Sequence, residues 1–70
     1  MINLHIVFWK EGIWWVAKCL ENSVTSQGKT YEEAKRNINE ALELSLEDEK
    51  IRNITPVEDI RTETFSFALA

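Results

Sequence analysis

Seventy residues with 44% hydrophobic content make one small globular domain, spanning residues 1–70, rather than a disordered chain. A net charge of −4 and a pI near 4.9 argue against direct nucleic-acid binding, which draws on clustered Lys and Arg against phosphates; they suit a basic partner, or plain solubility. One cysteine excludes an internal disulfide, and no N-terminal signal or long apolar run is present, so a cytoplasmic protein without a membrane span is expected.

Residues 2–9, INLHIVFW, alternate in period two and predict a half-buried strand. Residues 13–20 resume as a second strand after the break at Lys10-Glu11-Gly12. A two-residue turn at Glu11-Gly12 would pair Trp9 with Trp14, Phe8 with Trp15, Ile6 with Ala17 and Leu4 with Cys19. That register puts Ile2, Leu4, Ile6, Phe8, Ile13, Trp15, Ala17 and Cys19 on one face, making Trp15 the core tryptophan. The opposite face carries Val7, Trp9, Trp14 and Val16. These four can serve as a cross-strand cluster that stabilises the hairpin, or as an interface with another chain.

Glu21-Asn22-Ser23 then reads as a turn, and residues 24–27 as a short third strand ending at Gly28. Thr30-Tyr31-Glu32-Glu33 is a capping box, in which Thr30 accepts from the Glu33 backbone N–H and the Glu33 side chain reaches back. It opens a helix from Tyr31 to about Asp48 whose apolar face is Tyr31, Ala34, Ile38, Ala41, Leu42 and Ser45, with Leu46 at its margin. Glu33, Glu40 and Glu47 recur at heptad spacing on the opposite side, with Arg36 and Glu43 beside them and Leu44 at the edge. Such a stripe is either a solvated face or a contact for a basic partner.

Residues 49–60 form a charged connector broken by Pro56, with Ile51 and Ile54 placed to tuck onto the core. The last stretch alternates again, with Phe65, Phe67 and Leu69 facing inward in a strand that returns to the sheet. The expected order is β-β-β-α-β. This is an α+β fold with an antiparallel-rich sheet and one helix packed on one face.

Chemistry is sparse. Cys19 reads as a small core residue and His5 as a partly exposed strand residue, on opposite faces of the hairpin, so no metal site is expected. No phosphate-binding loop, nucleophile elbow or converging carboxylate set occurs, and no cofactor or catalytic residue is assigned.

Residues 15–48 carry an aromatic-Val-Ala strand, Ser26-Gln27-Gly28 with Thr30, the Glu32-Glu33-Ala34 segment, and Asn37-Ile38 followed by Glu40-Ala41-Leu42-Glu43-Leu44. This pattern resembles the HicB-type antitoxin family and its short UPF0150-like relatives. The resemblance implies a partial ribonuclease-H-like fold without nuclease residues, and a partner: a small, basic, HicA-type toxin that cleaves mRNA. It points to Glu33, Glu40 and Glu43, with Leu44, as candidate toxin contacts. The sequence ends at Ala70, where many members continue into a C-terminal DNA-binding domain, so direct operator binding is not expected; it has Glu21-Asn22-Ser23 where many have a Pro-Glu-Leu-Pro-Gly-like turn. An antitoxin-like binding protein is therefore expected. The alternative is a homo-oligomer, dimer or tetramer, that uses the Trp9/Trp14 face and has no toxin.

Overall fold

The alternating stretches and the capped helix become β1 (Ile6–Glu11), β2 (Trp14–Cys19), β3 (Thr25–Gly28) and α1 (Tyr31–Glu47) in a computed structural model that describes residues 2–47 and 54–69. The sheet is antiparallel, in the order β1-β2-β3, with α1 packed across β3 and β2. The fold is α+β, as expected. Asp48 and Ile51 lie outside the described residues.

The hairpin register differs by two residues from the expected one. Ile6 pairs with Cys19, Phe8 with Ala17, Trp9 with Val16 and Glu11 with Trp14. The turn is therefore Gly12-Ile13, and its first residue has φ +58°. A turn at Glu11-Gly12 would put glutamate at that first position, which in both common hairpin turns demands positive φ; the observed turn gives it to glycine. A shift of two residues preserves the faces, so the inward set survives except at its ends. Ile13 is exposed in the turn, and Ile2, ahead of the strand, is exposed too.

The core is small: Ala17 and Cys19 from β2 pack against Ala34, Ile38 and Leu42 of α1. Leu4, Ile6, Phe8, Trp15 and Val24 pack around it and remain half-buried. Tyr31 is more exposed than its place on the apolar face implies, yet its ring lies 4.7 Å from Phe8 and 5.7 Å from Trp15, tying the helix start to both strands.

Alanine at position 34 and glycine at position 28 allow the helix to sit this close. A Cβ on Gly28 would stand 2.5 Å from the Ala34 backbone nitrogen and 2.8 Å from Glu33 Cβ. Thr30 caps the helix: its Oγ1 accepts from Glu33 N–H at 3.1 Å, the first bond of the expected box. Asn37 then donates from Nδ2 to the Gln27 carbonyl at 2.9 Å, which covers part of the outer edge of β3.

The expected fourth strand does not join the sheet. Residues 54–69 carry no strand, and Phe65, Phe67 and Leu69 are 86%, 70% and 86% exposed. Thr55 N–H donates to the Glu21 carbonyl at 2.8 Å, holding the start of this segment against the domain. Beyond it, Asp59 adopts φ +53° and its carboxylate accepts two bonds from Arg61, each 3.0 Å. Past this point the segment stands away from the sheet, and an extended segment without a neighbouring strand has no ladder to form.

Candidate functional site

Three surfaces can carry function, and the first is the outer side of α1. Helical spacing brings Glu32, Lys35, Arg36, Asn39, Glu40 and Glu43 around a shallow groove of about 340 Å³. Glu40 and Glu43, singled out from the sequence, therefore share one exposed surface. Glu33 does not join them: it is half-buried beside Gly28. Leu44 is 69% exposed and adjoins Glu43 and Glu40 on the helix. The groove is mixed in charge, since Lys35 and Arg36 sit among the carboxylates.

The second surface is the sheet face away from the helix, where Val7, Trp9, Trp14 and Val16 gather. Trp9 stands opposite Val16, while Trp14 stands opposite Glu11. The two tryptophans are therefore diagonal neighbours, not the direct pair expected, because the turn lies one residue later on each strand. Each is 36% exposed, and Trp9 Nε1 donates to Glu11 Oε1 at 2.8 Å. That bond satisfies the indole N–H and leaves the ring faces as apolar surface.

The third was not visible in the sequence. Glu21, which reads as a turn residue, has a side chain only 2% exposed. Its Oε1 accepts from the His5 backbone N–H at 2.8 Å, and the Cys19 thiol points at the same oxygen from 3.7 Å. Its Oε2 lies 2.6 Å from His5 Nδ1. His5 and Cys19, expected on opposite faces, thus converge on one carboxylate at the end of the hairpin. The His5 N–H first, and then the His5 side chain, hold the Glu21 carboxyl below the ordinary value of 4.5, against the opposing effect of burial.

Around this pair, Ile2, Asn3, Ile54, Pro56, Val57 and Glu58 complete a cleft of about 290 Å³. Ile54, expected on the core, is half-buried in this cleft instead and is not among the residues packed on the core cluster. The His5 ring, 45% exposed, borders the cleft, whereas Cys19 is buried. The carboxylate acts as a clip that replaces a strand partner for the His5 N–H, while the Glu21 backbone carbonyl takes the Thr55 N–H where the chain returns. No group of three or more His, Cys, Asp or Glu among the described residues is arranged to hold a metal.

The family model described as "Family of unknown function (DUF7387)" matches residues 3–64. The chain belongs to this DUF7387 family. The match covers all three strands, the helix, both members of the His5–Glu21 pair and the Asp59–Arg61 clamp, and it stops just before Phe65. No curated protein and no solved structure matches the chain. Among the described residues, no helix is long and apolar enough to cross a membrane.

Proposed function

We propose that this chain is a non-catalytic, antitoxin-type binding protein that acts in the cytoplasm by covering a small basic HicA-type ribonuclease. The observation that carries the proposal is the exposed Leu44 adjoining Glu40 and Glu43 on one helix. An apolar side chain left in water beside carboxylates matches what a basic partner presents: aliphatic stems ending in positive charge. The resemblance of residues 15–48 to HicB-type antitoxins supports the same partner.

Native mass spectrometry of the tagged protein, isolated from its own host at low salt, tests it. The expected result is a co-purifying basic polypeptide of toxin size that is lost when Glu40→Lys and Glu43→Lys are combined, and that weakens as salt rises. Affinity unchanged by the double reversal would remove the helix from the interface.

A second reading is a homo-oligomeric module without a toxin, favoured by the exposed Trp9 and Trp14 rings. In sedimentation, Trp14→Ala should then move the protein towards monomer. An intact oligomer would show that the tryptophan face is not its interface.

A further inference from the structure

The segment after Asp59 presents an apolar edge that no other described residue of its chain covers. Phe65, Phe67 and Leu69 alternate with Thr64, Ser66 and Ala68, the pattern of a strand with one buried face. All three apolar side chains stand in water, with the two rings 6.0 Å apart. The segment also stretches the molecule: the radius of gyration is 14.3 Å, against about 11 Å for a compact domain of this length.

The same chain offers a matching vacancy on β1. Leu20 N–H donates to the His5 carbonyl at 3.0 Å, so His5 and every second residue after it turn their backbone groups towards β2. The N–H and C=O groups of Ile6, Phe8 and Lys10 therefore face the outer edge, where the sheet order leaves no neighbour among the described residues. The other edge, at β3, is already bonded by Asn37. On the helix side, α1 lies over β3 and β2, and Ile6 and Phe8 stay half-buried. A strand laid along β1 with Phe65, Phe67 and Leu69 on that side would complete both the ladder and the core cover.

We infer that the occupant of the β1 edge is the 64–69 segment of a second copy of this chain, exchanged reciprocally in a two-fold dimer. Donor and acceptor reside on the same chain, which is the condition for a self-complementary, closed exchange. The geometry of departure favours it: Ile54–Glu58 lie beside Ile2–His5, just ahead of β1, and past Asp59, whose φ is +53°, Phe65, Phe67 and Leu69 stand in water rather than along their own strand. The side chains suffice as well. At about 150–250 Å² for each aromatic, the four rings of two tails bury roughly 600–1,000 Å², and the surface they cover on the two acceptor strands carries the total past the roughly 1,000 Å² that a specific interface must clear. The tryptophan face and the outer side of α1 take no part in this exchange.

Two measurements on the purified full-length chain test it. Light scattering should give twice the 8.2 kDa chain mass, and Phe65→Ser combined with Phe67→Ser should halve it, with the helical circular dichroism kept because neither ring belongs to the core. In a refolded mixture of isotope-labelled and unlabelled chains, filtered NMR spectra should show Phe65 and Phe67 contacting Ile6 and Phe8 between copies. A monomeric wild type, a dimer that survives the double substitution, or contacts confined within one copy would each overturn the exchange.

Discussion

Glu21 Oε2 sits 2.6 Å from His5 Nδ1 across a gap of sixteen residues, the carboxylate buried and the imidazole half in water. The pair joins the start of the hairpin to its far end, and the Glu21 carbonyl takes the Thr55 N–H besides. Because folding lowers the Glu21 pKa, its ionised form contributes stability that is fully present above the ordinary value of 4.5. That contribution is lost as pH falls through the lowered folded value. Glu21→Gln should therefore be less stable at neutral pH and should show a flatter loss of stability on acidification. Urea unfolding followed from neutral pH down to about pH 3 checks this; parallel wild-type and variant curves would assign the acid sensitivity elsewhere.

Gly28→Ala should cost about 1–3 kcal/mol, because the new Cβ meets the Ala34 backbone nitrogen and the helix must shift to make room. Chemical denaturation measures it. A neutral result would mean that α1 stands farther from β3 than described.

Ile38→Ala should remove about 2–5 kcal/mol, a large share of the stability of a domain this small, since Ile38 is the largest side chain completely buried in the core. Leu44→Ala, on an exposed side of the same helix, should change stability by no more than about 0.5 kcal/mol. If Leu44 contacts a partner, that substitution lowers affinity while leaving the melting temperature in place. The contrast between the two leucine-sized positions separates folding from binding.

Thr30→Ala should cost about 1 kcal/mol through loss of the bond to Glu33 N–H, and Thr30→Ser should recover most of it. Amide exchange at the first turn of α1 reports the change directly. Unaltered protection there would show that the cap contributes nothing.

Much of this architecture is legible along the chain because its causes are local. Period-two alternation marks β1 and β2, a threonine cap starts α1 at Tyr31, and i, i+4 spacing picks out Ala34, Ile38 and Leu42. Even the misplaced turn keeps the right residues inward, because the two-residue shift preserves alternation. The exposed Glu40 and Glu43 follow from the same helical arithmetic.

What the sequence could not decide depends on partners distant in the chain. Nothing near Glu21 distinguishes it from a solvated turn carboxylate; its burial exists because His5, sixteen residues earlier, donates to it. Alternation in Phe65, Phe67 and Leu69 signals a strand, but a strand requires an adjacent backbone, and in the fold this segment stands away from its own sheet with all three side chains exposed. Local periodicity determines which face of a segment is apolar. Only the tertiary structure decides what that face meets, because the contact is set by where the rest of the chain has room to go.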